Sequence, residues 1–280
     1  MNKIKFTIDR KESQFDITGS PDFRHGEDIV VSNEKTDLCF SQPWYKLGYQ
    51  AISCFSPKEF EGLKNGVSES IKKIIKDNTE INTDGFQLEK YHKFVKSDEE
   101  HFKVVGKTRN LFSEDFDFPI NKLISKFSKM LDIGLTDIDP ELNKKLHIII
   151  RVNRPKSSDY NPPHKDMYEA YDGHLEFKTQ FINLWIPIAG VTNKTSLPIA
   201  PSSHLIPESK ILRTFDGGVI GGNKYHVRLI KEWANSTHLI RPNVKYGETL
   251  VFSSHLIHGL ATNEEEDTTR VALEFRLFKK

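Results

Sequence analysis

Cysteine is the rarest residue type in this chain: only Cys39 and Cys54 occur among its 280 residues. So few thiols exclude both a disulfide scaffold and a cysteine-rich zinc site. Any metal site here must therefore use nitrogen and oxygen ligands, and the 11 histidines are the first place to look for them.

Long apolar runs and an excess of charge of either sign are missing as well. No stretch approaches the roughly 20 apolar residues that cross a bilayer. The first residues, Met1–Phe6, lead into charged residues rather than into a secretory signal. Lys and Arg number 40 against 39 Asp and Glu, a net charge of +1. This balance argues against a protein that mainly binds nucleic acid or an acidic membrane, so we expect a cytoplasmic protein that binds neither.

The N-terminal half predicts helices beside little regular structure. Residues 1–44 show no strong period, and we expect them to be loosely structured or to form edge strands. A strand is predicted at Tyr49–Phe55, followed by a helix that opens on the capping box Ser56–Glu59 and runs to about Lys76. Apolar residues at helical spacing predict a second helix over Pro119–Leu131.

After residue 146 the pattern changes to strands. Runs rich in β-branched and aromatic residues predict strands at 146–153, 181–188, 248–253 and 270–278. Helices followed by spaced strands are typical of an α+β chain, with 45–145 as a helical flank and 146–280 as an antiparallel sandwich or barrel. The glycine-rich segment 217–222 predicts a mobile loop of the kind that covers a site.

His164 and Asp166 form the most informative short motif. In an extended backbone, residues two apart point to the same side, so this imidazole and this carboxylate can reach one metal ion. The triplet alone is weak evidence, because a surface histidine beside a solvated aspartate is as simple a reading. A mononuclear iron site of the two-histidine, one-carboxylate kind needs a third ligand from elsewhere in the chain.

His258 is the candidate third ligand, at the end of a predicted strand. His255 is the competing choice, and strand parity together with the following Gly259 favours His258. Arg270 lies at the head of the last apolar strand, where a surface salt bridge is the plain alternative to a buried guanidinium that binds a carboxylate.

Other histidines and arginines have weaker claims. His174–Glu176 and His25–Glu27 could form similar pairs but lack the strand context, so we expect both at the surface. His204 is expected to be structural or at the pocket rim, and Arg276 shares parity with Arg270 at a longer spacing. The remaining ones, expected at the core edge or in solvent, are His147, His226 and His238.

Taken in order, several segments resemble the iron(II)/2-oxoglutarate-dependent oxygenases, and most closely their phytanoyl-CoA dioxygenase-like branch. The matching segments are Tyr49–Lys76, Val152–Pro155, His164–Asp166, Leu184–Ile188, Pro198–His204, Gly247–Phe252, His258–Gly259, and Asn263 with Arg270. The branch often has Gln where Lys165 stands and usually Gly where Ser202 stands. Residues 1–44 have no counterpart.

The resemblance implies a double-stranded β-helix, that is, a jelly-roll or cupin-like barrel, with the N-terminal helices outside and residues 1–280 as a single domain. It assigns Fe(II) to His164, Asp166 and His258. The cosubstrate 2-oxoglutarate would chelate the metal and pair through its far carboxylate with Arg270. Asn153 and Trp185 would line that pocket, although core packing of the tryptophan and a strand-end role of the asparagine are equally simple readings.

The reaction so implied consumes O2, releases succinate and CO2, and hydroxylates an unactivated C–H bond of a small molecule. Related halogenases have Gly or Ala at the position of Asp166, so the carboxylate favours hydroxylation or a variant such as desaturation. The substrate and the oligomeric state are not readable. Cationic residues that could serve an anionic substrate are scattered, namely Lys165, Lys178, Arg213, Lys224 and Arg228.

Two other functions fit the residues without the resemblance. One is a cupin-like metal-binding or sugar-binding protein, or an isomerase, that does not use 2-oxoglutarate. The other is a non-enzymatic binding module in which the histidines and Asp166 coincide by chance. Arg270 and its pocket distinguish the oxygenase from the cupin-like protein, because a plain cupin does not need a buried guanidinium.

Overall fold

The computed structural model describes residues 2–169, 180–220 and 223–280, in which four consecutive helices lie between two series of strands. None of the helices in these ranges combines the length and the apolar character that a membrane crossing requires. The elements are β1 Asn2–Ile8, β2 Lys11–Thr18, β3 Arg24–His25, β4 Tyr49–Ser53, α1 Pro57–Asn78, α2 Tyr91–Phe94, α3 Asp98–Thr108, α4 Asn121–Leu131, β5 Leu135–Thr136, β6 Ile138–Asp139, β7 Lys144–Lys145, β8 Ile149–Asn153, β9 Phe181–Ala189, β10 Ile211–Arg213, β11 Gly218–Ile220, β12 Asn223–Tyr225, β13 Ile230–Trp233, β14 His238–Leu239, β15 Glu248–Ser253 and β16 Arg270–Lys279.

A six-stranded antiparallel sheet organises the C-terminal half. Its order is β4-β15-β9-β16, and β16 also pairs with β8 near its start and with β5 near its end. The four strands predicted after residue 146 all lie in this sheet, and β4 is the strand predicted from residue 49. The prediction of a sheet-rich chain with a few helices is therefore confirmed.

The two-residue period of these strands sorts their side chains onto two faces. On β16, Val271, Leu273 and Phe275 belong to the apolar cluster that also contains the helices, whereas Arg270 and Arg276 line a pocket on the opposite face. One face of the sheet is thus core, and the other carries polar groups.

Helices α1, α3 and α4 contribute side chains to that apolar cluster. α1 begins as predicted, because the Ser56 side chain accepts from the Glu59 amide and the Glu59 carboxylate accepts from the Ser56 amide. Its residues Val67, Ile71 and Ile75 are fully buried. Each such side chain contributes roughly 1.5–3 kcal/mol through burial, so the helical flank anchors the sheet.

The layer over the polar face consists mainly of short pairings. Isolated bridges join His164 to His258, and Ile199 to both His258 and Ile240. A three-stranded sheet, β13-β10-β3, continues this layer. Within the described ranges the pairings form separate sheets rather than one closed ring, so closure of the expected jelly-roll barrel stays a prediction.

The N-terminal segment differs from expectation. β1 and β2 are neither loose nor at an edge, because they occupy interior positions of a five-stranded sheet in the order β12-β11-β2-β1-β14. The buried residues Ile4, Phe6 and Ile8 alternate with polar residues, which is the two-residue period of a strand. The turn between β1 and β2 uses Asp9 and Arg10 at positive φ instead of the usual Asn-Gly, so the hairpin signal was weak.

Three further features differ from the expectations. Helix α3 was not predicted, although Ser97 caps it by accepting from the Glu100 amide; Gly106 and the exposed Phe102 weaken its apolar pattern. The segment 217–222, expected as a loop, forms β11 up to Ile220, and Gly221–Gly222 lie outside the described residues. The helical flank 45–145 also ends in the short strands β5, β6 and β7.

Replacing Phe6 by alanine should show that the N-terminal sheet is part of the core. Its ring is 1% exposed and stacks on Phe15 and Trp233, so the free energy of unfolding should fall by about 3–5 kcal/mol in a urea titration. Lys3→Ala on the exposed side of the same strand is the control, with a change within about 0.5 kcal/mol. Equal losses of unfolding free energy in the two variants would contradict the burial of Phe6 in the core.

Candidate functional site

Two distant segments of the chain meet at the site. The His164 amide donates to the His258 carbonyl at 2.9 Å, and the His258 amide donates to the His164 carbonyl at 3.0 Å. This pair of hydrogen bonds brings the two imidazoles side by side, with ring centroids 4.4 Å apart. The segment that holds His258 lies beyond the end of β15, so strand parity does not position it; the backbone bridge does.

Gly259 permits this approach. Its φ of +136° is a conformation that L side chains rarely adopt, and a Cβ there would lie 2.5 Å from the Pro162 carbonyl oxygen. Glycine is therefore required at the position directly after His258.

His164, Asp166 and His258 each present one ligand atom, and the three atoms lie within 4.8 Å of one another. Asp166 Oδ1 is 3.4 Å from His164 Nε2, and Asp166 Oδ2 is 3.5 Å from His258 Nε2. Each histidine donates from Nδ1 to a backbone carbonyl, of Pro162 at 2.7 Å and of Leu256 at 3.0 Å. These bonds leave both Nε2 lone pairs facing Asp166, the usual arrangement of metal-binding histidines.

The protonation states also fit a metal. Burial lowers the pKa of His258 to about 4, so its ring is neutral at pH 7, the form that binds metal. Burial of Asp166 opposes ionisation, but the Arg276 guanidinium and the two histidines outweigh it and hold the pKa of the carboxyl below its ordinary value. Two nitrogens and one carboxylate with open positions suit a divalent metal of the ferrous kind.

Arg276 is the contact that the sequence did not reveal. Its Nη2 donates to Asp166 Oδ1 at 2.6 Å, and it lines the same pocket as the three ligands. The sequence did show that Arg276 lies on the same side of the last strand as Arg270, but its longer spacing along the chain gave it no role. The structure gives it one, as the cation that fixes the orientation of Asp166.

The pocket beside the three ligands is rich in unpartnered donors. Arg270 Nε and Nη1, Trp185 Nε1 and Asn183 Nδ2 are all buried, and none of them makes a hydrogen bond within the described part of the chain. Buried polar groups without partners cost about 1–3 kcal/mol each, so donors clustered in this way indicate an acceptor-rich ligand. A carboxylate is the group that a guanidinium fork matches best.

Asn153 supports Arg270 rather than facing the pocket freely. The two residues are paired across β8 and β16, and Arg270 Nη2 donates to Asn153 Oδ1. The amide of Asn153 is in turn bound to backbone carbonyls, of which Asp159 is one. Burial lowers the pKa of Arg270 to about 9, which expresses the cost of a cation held without an anion.

Lys165 and Ser202 depart from the family pattern, and both have local explanations. Lys165 Nζ donates to Glu208 at 2.7 Å in a buried pair on the far side of the ligand segment. Ser202 has a φ of +61°, which explains why glycine is usual there, and its hydroxyl donates to the Lys46 carbonyl at 2.9 Å.

The competing histidines lie elsewhere. His255 is buried and bonds through Nε2 with the Thr36 carbonyl, away from the three ligands. His204 packs against the edge of Tyr45, as a structural residue would. His147 lines the pocket, contrary to expectation. Of the rest, His25, Glu27, His226 and His238 are exposed as expected, and His174–Glu176 with Lys178 lie outside the described residues.

Gly259→Ala should separate the two ligand segments, because its Cβ has no room against Pro162. We expect the affinity for Ni(II), measured by calorimetry, to fall by at least about tenfold. Gly134→Ala is the matched control, since a Cβ there meets only Lys280 at an ordinary 3.6 Å. Unchanged Ni(II) affinity in Gly259→Ala would show that the close approach does not hold the ligands.

No protein-family model matches the chain, and no curated protein matches it. Among solved structures, EctD from S. alaskensis with 2-oxoglutarate and 5-hydroxyectoine is 12% identical, with a TM-score of 0.49 over 95% of this chain and 86% of that one. EvdO2 from Micromonospora carbonacea var. aurantiaca, complexed with 2-oxoglutarate, is 13% identical, with a TM-score of 0.46 over 91% and 94%. ThoJ, a non-heme monooxygenase, is 11% identical, with a TM-score of 0.49 over 85% and 76%. These are distant likenesses, and neither the fold nor the chemistry of this chain follows from them.

Proposed function

We propose that this chain is an Fe(II)- and 2-oxoglutarate-dependent dioxygenase that hydroxylates an unactivated C–H bond of a small molecule. O2 is consumed, and succinate and CO2 are released. One observation carries the proposal: the His164, Asp166 and His258 ligand atoms share a pocket with a buried guanidinium, Arg270, that forms no ion pair with any described residue. The first feature suits a metal, and the second suits the far carboxylate of a dicarboxylic acid.

In this proposal His164, Asp166 and His258 hold the metal on one side and leave its other positions open. When bound, ferrous iron supplies the redox chemistry that O2 requires. The carbonyls of Pro162 and Leu256 keep both imidazoles in the tautomer with Nε2 free, and Arg276 keeps the Asp166 carboxylate ionised and oriented.

The remaining pocket residues orient the cosubstrate. Arg270 receives the far carboxylate, Asn153 holds one edge of its guanidinium, and Trp185 and Asn183 offer further donors. The apolar neighbours Leu197 and Phe252 line the same pocket and limit the access of water. A cupin-like metal protein without 2-oxoglutarate would leave these buried donors without a partner.

Full-length protein loaded anaerobically with Fe(II) and 2-oxoglutarate should develop the weak visible charge-transfer band of the chelate. Asp166→Ala should abolish both this band and succinate formation, because the metal loses its anionic ligand. Asp77→Ala, an exposed position on α1, serves as the control and should leave both unchanged. A wild-type chain without the band, or full hydroxylase activity in Asp166→Ala, would refute the proposal.

Arg270→Lys tests the cosubstrate position separately. Lysine keeps the charge but loses the planar fork, so the KM for 2-oxoglutarate should rise by at least about tenfold. Arg241→Lys is matched to it, since Arg241 is also a buried arginine but pairs with Glu264 outside the pocket. An unchanged KM in Arg270→Lys would remove this residue from cosubstrate binding.

A further inference from the structure

A second cavity of about 330 Å³ adjoins the metal pocket, which offers only about 60 Å³. The two share a wall formed by Asp159, Tyr160 and Asn161. This wall directly precedes the segment that carries His164. A ligand too large for the metal pocket therefore has one adjoining space in which its bulk can lie.

Arg109 is the distinctive residue of this cavity. It caps the C-terminal end of α3, and its Nε is buried without a hydrogen-bond partner. No carboxylate of the described residues forms an ion pair with it. Burial and the nearby Arg151 lower the pKa of Arg109 to about 10, so the protein holds this cation against a cost in free energy.

The acidic groups near Arg109 are already engaged. Asp159 accepts from Arg154 Nε at 3.0 Å and lies 3.2 Å from His101 Nε2. Glu274 accepts from Arg151 Nη2 at 2.7 Å. Arg109 is thus the cation left over once each nearby carboxylate has its own partner.

The rest of the cavity adds positive charge, a donor and apolar surface. Lys224 is exposed at the cavity and makes no ion pair with any described residue. The Tyr225 hydroxyl is buried and has no hydrogen-bond partner among the described residues. The lining also includes apolar side chains, among them Val105 and Ile220.

We propose that this cavity binds the substrate of the reaction through an anionic end-group, a carboxylate or a phosphate, held by Arg109 and Lys224 with its apolar body against Val105 and Ile220. The identification of the ligand as a substrate rests on the proposed function, whereas the anion site itself rests on the residues of the cavity. Because Asp159, Tyr160 and Asn161 line both cavities, a molecule that extends along them from Arg109 to the metal pocket has its oxidised carbon at the end remote from the anion.

Binding of two anions and their neutral analogues tests the site in the full-length protein without metal or 2-oxoglutarate. The pairs are 4-phenylbutyrate with 4-phenylbutyramide, and 1-naphthyl phosphate with 1-naphthol, each titrated by calorimetry. At least one anion should bind about tenfold more tightly than its neutral analogue, as expected for charge-assisted hydrogen bonds. The pair that shows the preference identifies the end-group.

Arg109→Leu should remove this preference, and Lys224→Met, an exposed change that cannot disturb the core, should reduce it about twofold to threefold. Arg241→Lys should leave it intact. Equal binding of anions and neutral analogues by the wild type, or an undiminished preference in both Arg109→Leu and Lys224→Met, would overturn the inference. Neither result depends on the charge-transfer band, so the anion site and the proposed chemistry can fail independently.

Discussion

The site depends on one backbone contact, the pair of hydrogen bonds that joins His164 to His258. These two residues are far apart in the sequence, and no long strand pairing connects their segments directly. Their meeting needs Gly259, because a side chain there would collide with the Pro162 backbone. The same bridge places the Asp166 carboxylate oxygens 3.4 Å from His164 Nε2 and 3.5 Å from His258 Nε2. The candidate site thus rests on a place where the backbone itself leaves no room for a side chain.

The six-stranded sheet positions the other pocket residues, because one of its faces is apolar and the other is polar. Along β16, apolar residues pack against the helices while Arg270, Glu274 and Arg276 face the pocket. Such buried polar groups cost about 1–3 kcal/mol each where they lack partners. Burial of the apolar residues on the opposite face contributes roughly 1.5–3 kcal/mol per side chain. The same strand therefore both stabilises the fold and carries polar residues that line the pocket, so the pocket depends on the packing of the helical flank.

Sequence reasoning reached the features that are encoded locally. The strands after residue 146 follow from their β-branched runs, and α1 follows from its capping box. Short motifs in order pointed to His164, Asp166, His258 and Arg270, which the structure brings to one pocket. Arg276 and Asn183 could not be found in this way, since their positions at the pocket depend on strand register across the sheet. Helix α3 and the β1–β2 hairpin were missed because a glycine, an exposed aromatic and an atypical turn blur their patterns. These missed elements matter for the proposed anion site: Arg109 caps the C-terminal end of α3, and β2 pairs with the β11 strand that contributes Ile220 to the second cavity.

The balanced net charge of the chain conceals a local imbalance. Each carboxylate that lines the two cavities already has a cation: Asp166 pairs with Arg276, Glu274 with Arg151 and Asp159 with Arg154. Within the described part of the chain, Arg270 and Arg109 then form no ion pair with an anion. Two unpaired guanidinium groups in adjoining cavities would repel rather than stabilise each other in the absence of ligands. Their persistence is accounted for if two separate anions enter, a cosubstrate at Arg270 and a substrate at Arg109. The reacting carbon would then be held between two fixed charges, which would set the position of oxidation without any specific contact to that carbon.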